Sequence, residues 1–179
     1  MVFLGEIGDK TQLPALLLAA RFRRPLPIIL GILVATLVNH AGAAAMGAWL
    51  TRALNPRWLR WGLGLSFLAL AAWMLVRDQV DPDLASAQPR FGVFGVTLVA
   101  FFLAEMGDKT QIATAMLAAR YQSLALVTAG TTLGMMLANV PALLFGDNVV
   151  KWVPMAWVHR IAAGMFAVLG VLVLMGVGW

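Results

Sequence analysis

Glu6, Asp9 and Lys10 share one seven-residue stretch, Glu6-Ile7-Gly8-Asp9-Lys10-Thr11-Gln12. The same pattern returns 99 positions later as Glu105-Met106-Gly107-Asp108-Lys109-Thr110-Gln111. Over the sixteen residues from Glu6 to Arg21, ten are identical between the copies, and both copies end in Leu-Ala-Ala-Arg. At 100° per residue, a continuous helix would gather Glu6, Asp9 and Lys10 into an arc of about 100°, with Gln12 just beside Asp9. Glu105, Asp108, Lys109 and Gln111 would repeat that face. Two carboxylates so placed can share a cation or a proton. Set against each other, the copies would make a cluster of Glu6, Asp9, Glu105 and Asp108. The other donors at hand are all oxygens: Thr11, Thr110, Gln12, Gln111, Asn39, Asn139 and backbone carbonyls. With no cysteine in the chain, that set suits hard divalent ions such as Mn²⁺, Ca²⁺ or Mg²⁺ over copper or zinc. Each copy carries two acids and one lysine, so the pair nets −2 and is balanced by one divalent ion or by two protons. Carboxylates crowded at low dielectric take up protons readily, so protons can compete with the metal.

The elements that must hold these groups lie in a membrane. Of 179 residues, 61% are hydrophobic and only 12% charged, against about a quarter charged in soluble domains. The runs 91–104 and 161–179 reach or approach the length that a hydrocarbon layer of roughly 30 Å requires. Ionisable groups at that depth cost a few kcal/mol each, so the acids of the two motifs mark a site. The net charge of +5 does not indicate nucleic acid. The arginines sit in short connectors between apolar runs, as charges that set topology do. The absence of cysteine excludes disulfides and thiolate metal sites. Acids already at Glu6 and Asp9 leave no cleavable signal visible.

Six spans are expected, at about 1–20, 26–50, 58–76, 91–119, 123–146 and 156–178. Arg21-Phe22-Arg23-Arg24-Pro25 and Asn55-Pro56-Arg57 separate the first three. Trp49, Trp58 and Trp61 bracket one turn, and Trp152 and Trp157 another, as aromatic belts at the interface do. The polar linker 77–90 divides the chain into repeats of three spans, 1–76 and 91–179. An odd number of spans per half makes the halves run in opposite directions, so the fold expected is an all-α integral membrane protein of two inverted three-helix repeats. Such repeats place a substrate site at the midplane between them. Gly31 and Ala35 correspond to Gly130 and Gly134, a spacing of small residues that lets helices approach closely. Asn39 and Asn139 correspond if one residue is inserted. Basic residues of the connectors, six on the side of the linker against four opposite, favour a cytoplasmic linker with both termini outside.

Two irregularities stand out. Fourteen apolar or small residues precede Glu105, whereas only five residues precede Glu6, so the first span reads as shortened by about nine residues. A single helix over 91–119 would be about 43 Å long, so it must tilt or break, and Gly107 is the natural place. In the first copy Pro14 would remove the hydrogen bond to the Lys10 carbonyl, kinking the helix or freeing a ligand. Lys10 and Lys109 either pair with the acids or extend their stems to an interface. His40 has no histidine counterpart in the second half and is expected to be a hydrogen-bonded structural residue. His159 lies by an interface. The ten methionines are scattered, as core filler is.

The paired Glu-x-Gly-Asp-Lys/Arg-Thr/Ser signature in a duplicated chain of six spans resembles the small calcium/manganese:proton antiporters, which include bacterial manganese exporters and eukaryotic Golgi members. The resemblance covers essentially the whole chain. It implies a non-enzymatic transporter of the bacterial cytoplasmic membrane, without a cofactor, that exchanges a divalent cation for protons. The implied ligands are Glu6, Asp9, Glu105 and Asp108, assisted by Thr11, Thr110, Gln12 and Gln111, with Lys10, Lys109, Asn39 and Asn139 in support. A homo-oligomer is compatible with this reading. An intramembrane aspartyl protease would need Gly-x-Gly-Asp and Tyr-Asp motifs, which are absent; the single tyrosine, Tyr121, precedes glutamine. A channel is the remaining alternative, distinguished by flux that does not depend on protons.

Overall fold

The computed structural model describes residues 1–7, 12–76, 92–145 and 155–177. Eight helices account for nearly all of these: α1 Val2–Glu6, α2 Gln12–Phe22, α3 Pro25–Ala53, α4 Pro56–Met74, α5 Gly92–Glu105, α6 Lys109–Tyr121, α7 Leu124–Phe145 and α8 Met155–Leu174. No strand occurs among the described residues. Three helices, Pro25–Ala53, Leu124–Phe145 and Ala156–Leu174, are long and apolar enough to cross a membrane, and α5 is a shorter apolar helix. The linker expected at 77–90 lies outside the described residues.

Local chemistry sets the boundaries. Prolines open α3 and α4, where a missing N–H costs nothing. The Asn55 side chain caps α4 by accepting from the Arg57 amide at 3.0 Å. Arg23 and Gln122, at the ends of α2 and α6, both take left-handed backbone with φ of 50°. Their amides close the preceding helix turns on Ala19 and Ala118. These two residues are themselves 99 positions apart. A non-glycine residue there costs about 1 kcal/mol, so the same strained corner is made twice.

The stretches expected as single helices over 1–20 and 91–119 are each two helices. α5 and α6 are interrupted at Met106-Gly107-Asp108, where Gly107 has φ of +76°. In the first half α1 ends at Glu6 with Ile7 extended, and residues 8–11 lie outside the described residues. Pro14 lies in α2, and Lys10, whose carbonyl it was expected to free, lies outside the described residues.

Packing crosses between the two halves. α3 lies against α5 and α6, while α7 lies against α1 and α2. α3 and α7 also pack on each other, and α4 pairs with α8. Thus the long helix of each half holds the interrupted helix of the other. One apolar core joins Phe67 of α4, Met116 of α6 and Phe166 of α8; a second joins Leu18, Ile28, Phe101 and Leu143. Glycines fix the closest crossings. A Cβ at Gly31 would sit 2.7 Å from Thr97 of α5, and one at Gly134 would sit 3.0 Å from the Phe3 amide of α1. At Gly47 it would overlap the Ala115 carbonyl of α6, and Gly64 and Gly170 make the α4–α8 crossing. Gly130 has open space among the described residues. Trp49, Trp58, Trp61 and Trp157 are all exposed on the bundle surface, as belt residues should be.

Candidate functional site

The second motif is built around the break between α5 and α6. α5 ends at Glu105, and the Asp108 amide bonds back to the Glu105 carbonyl at 3.1 Å. Gly107 supplies the left-handed turn and donates its amide to Gln111 Oε1 at 2.7 Å. Asp108 is the extended residue just before α6, and Thr110 Oγ1 donates to its Oδ2 at 3.1 Å. Glu105 and Asp108 therefore flank a helix break instead of sharing one helical face. Gln111 serves the turn itself.

Both carboxylates are buried, each about 1% exposed. α3 reaches across to Glu105 with two residues one turn apart. Thr36 Oγ1 donates to Oε1 at 2.5 Å, and Asn39 Nδ2 donates to Oε2 at 3.2 Å and to the Phe102 carbonyl at 3.1 Å. Sequence reasoning singled out Asn39 but missed Thr36. The signal was present: a threonine and an asparagine at i and i+3 in an apolar helix share a face. Hydrogen bonds to an ionised group contribute about 1.5–3 kcal/mol each, enough to hold this carboxylate in one orientation.

The first motif follows the same plan as far as it is described. α1 ends at Glu6, which is fully buried, and Ile7 turns extended. Asp9, Lys10 and Thr11 lie outside the described residues. Gln12 of α2 donates its side-chain amide to the Ala138 carbonyl of α7 at 3.1 Å. Pro141 inside α7 cannot bond the Leu137 carbonyl, so α7 is loosened beside the Gln12 contact. Pro141 was also overlooked from sequence.

Lys109 is buried, and its ammonium donates to the Val76 carbonyl at 2.7 Å while lying 5.8 Å from the centre of the Trp73 ring. It is docked on the end of α4. His40 is fully buried, yet neither ring nitrogen has a hydrogen-bond partner among the described residues. The expected hydrogen-bonded structural role is not what the geometry gives. Asn139 bonds within its own helix, Nδ2 to the Met135 carbonyl at 3.1 Å, and its buried Oδ1 is likewise unpartnered. At the 99-residue offset it is His40, not Asn39, that corresponds to Asn139. Among the described residues, no three carboxylate or imidazole groups meet at metal-binding distance. Glu6, Glu105 and Asp108 alone do not close a cluster, and the fourth acid, Asp9, is not described.

Known proteins match nearly the whole chain. The family model described as divalent cation/proton antiporter GDT1 matches residues 1–82 and 93–177. A Vibrio cholerae protein described as "Putative manganese exporter" is 49% identical over 166 residues, covering 92% of this chain and 82% of that protein. GDT1-like protein 5 of Arabidopsis thaliana is 26% identical over 208 residues, covering 96% of this chain and 90% of that protein. No solved structure matches significantly. The chain belongs to the GDT1 family of divalent cation/proton antiporters, which are transporters and not enzymes.

Proposed function

We propose that this protein exports Mn²⁺ in exchange for protons, by alternating access of two inverted three-helix repeats, 1–76 and 91–179, around one midplane site. The observation that carries the reading is the burial of Glu6 and Glu105 at the ends of interrupted helices, each packed on the long helix of the opposite half. Glu6, Asp9, Glu105 and Asp108 are the ligands, with Thr11, Thr110, Gln12 and Gln111 assisting from the same two breaks. Thr36 and Asn39 orient Glu105; Asn139, Lys10 and Lys109 complete the support. Manganese is preferred to calcium as the cargo because the Vibrio relative is described as a manganese exporter. The membrane is the cytoplasmic membrane.

Charge balance gives the coupling. Four ionised acids and two lysines net −2, which one divalent ion cancels and so do two protons. Either loaded form can cross the low-dielectric core, whereas the empty ionised form cannot do so cheaply. Exchange is then obligatory, near two protons per ion. In proteoliposomes, an imposed proton gradient should drive Mn²⁺ uphill, and added Mn²⁺ should move protons the other way. Glu6→Gln, Asp9→Asn, Glu105→Gln and Asp108→Asn should each abolish the flux while leaving folded protein in the membrane. Flux that follows only the Mn²⁺ gradient, unchanged when ΔpH is collapsed, overturns the coupling and indicates a channel.

A further inference from the structure

Four buried side chains on the packed helices α3 and α7 each hold a polar atom without a hydrogen-bond partner among the described residues: Thr128, Thr132 and Asn139 of α7 and His40 of α3. Thr128 is 6% exposed, Thr132 4%, and the other two are fully buried. The hydroxyls of Thr128 and Thr132, Asn139 Oδ1 and both His40 nitrogens all lack a hydrogen-bond partner among the described residues. By contrast, neighbouring Thr131 satisfies its hydroxyl on the Val127 carbonyl at 2.8 Å. On a helix, Thr128, Thr132 and Asn139 fall within an arc of about 40° and span about 16 Å along the axis. They form one line.

His40 lies level with this line along the bundle axis. α3 and α7 pack together, with Ile28 and Leu143 sharing one core cluster and Ala44 and Val127 sharing another. The two helices thus run antiparallel, and interpolation at equal rise brings His40 level with Thr131 and Thr132. The line meets the two motifs at different levels. Asn139 adjoins Ala138, whose carbonyl holds Gln12, and His40 follows Asn39, which holds Glu105. The outer end is the start of α7, beside Ser123. The positions 99 earlier than Thr128 and Thr132 are Ile29 and Leu33, so the other half carries no matching polar line towards the opposite face.

Buried polar groups in protein are nearly always satisfied, by protein or by water. A polar seam with several donors and acceptors in reach of each other is where water binds, whereas an apolar one stays dry. We propose that the α3–α7 seam from Thr128 to Asn139 is a hydrated, one-ended path by which cations and protons reach the paired motifs from the Ser123 side. What travels along it rests on the transport reading above, but whether water enters it does not.

The chain has no cysteine, so single cysteines can be placed without background. In sealed vesicles of known orientation, Thr128→Cys and Thr132→Cys should react with a membrane-impermeant cationic methanethiosulfonate added on the side where Ser123→Cys reacts. The rate should be at least tenfold above that of Leu133→Cys, which is exposed on the bundle surface, and of Leu33→Cys. If Thr132→Cys reacts no faster than Leu133→Cys while Ser123→Cys labels readily, the path is refuted. Labelling from the opposite side refutes it equally. Should Thr132→Cys not accumulate in the membrane, Thr128→Cys decides by the same comparison. A chain that labels as expected but moves no manganese overturns the transport reading and keeps the path. Coupled exchange with an unreactive Thr132→Cys does the reverse.

Discussion

Gly47 and Gly42 lie on the same helix, α3, and differ only in what a methyl group would meet. At Gly42 an added Cβ finds nothing within 4 Å. At Gly47 it overlaps the Ala115 carbonyl oxygen of α6 and lies 2.8 Å from that carbonyl's carbon, where ordinary contact begins at 3.4 Å. The obstacle is backbone on a packed helix, so α3 and α6 must separate. Overpacking of this kind costs about 1–3 kcal/mol, offset in part by the gain of about 0.5–1 kcal/mol when alanine replaces glycine inside a helix. Gly42→Ala receives that gain alone. The two variants should therefore differ by about 1–3 kcal/mol, or roughly 3–10 °C in melting temperature for a chain of this size. Tryptophan fluorescence or size-exclusion melting in detergent would read the difference. α3 carries Thr36 and Asn39, and α6 follows Asp108, so separating the helices also moves Glu105's partners away from the second motif. Mn²⁺ flux should fall in Gly47→Ala and persist in Gly42→Ala. Equal melting temperatures for the two variants would refute the close α3–α6 crossing.

Thr36→Val and Asn39→Ala each remove one donor to Glu105 and should raise the KM for Mn²⁺ about 10- to 100-fold, the range for outer-shell partners of metal ligands; an unchanged KM would show that Glu105 is oriented by other means. Arg23→Gly and Gln122→Gly relieve left-handed backbone and should each raise stability by about 1 kcal/mol, checked by the same melts, with transport unaltered. Cysteines at Ser86 and Ser123 should label from opposite sides of the membrane, since inverted repeats require it; labelling from one side would overturn the inversion.

The duplication, the ends of α3, α4, α7 and α8 to within a few residues, and the break at Gly107 were legible because each has a local cause. Glycine between a glutamate and an aspartate in a helix too long for a bilayer has few other readings, and Asn55-Pro56 and Pro25 announce helix starts. What could not be read was reach across the bundle. That Thr36 and Asn39 meet Glu105 depends on how α3 crosses α5, and the crossing is fixed by Gly31 against Thr97, a contact between residues 66 apart in the chain. The one-face geometry of Glu105 and Asp108 failed for a related reason. It assumed an unbroken helix through the very glycine that breaks it. His40 was misjudged because histidine identity was sought in the second half, whereas the repeat conserves position and burial and exchanges imidazole for amide at Asn139.

The interruption between α5 and α6 also has an electrical consequence. A helix end carries unpaired backbone groups equivalent to roughly half an elementary charge, negative where carbonyls emerge and positive where amides do. α5 terminates at Glu105 with carbonyls facing forward, and α6 begins just after Asp108 with its amides facing back. A macrodipole end of each sign is thereby delivered into an apolar layer without any further ionised side chain. The positive end steadies the Asp108 carboxylate, and the negative end adds to Glu105 in attracting a cation. A cation is therefore drawn to the Glu105 side of the break, and any tilt of α5 relative to α6 redirects that pull.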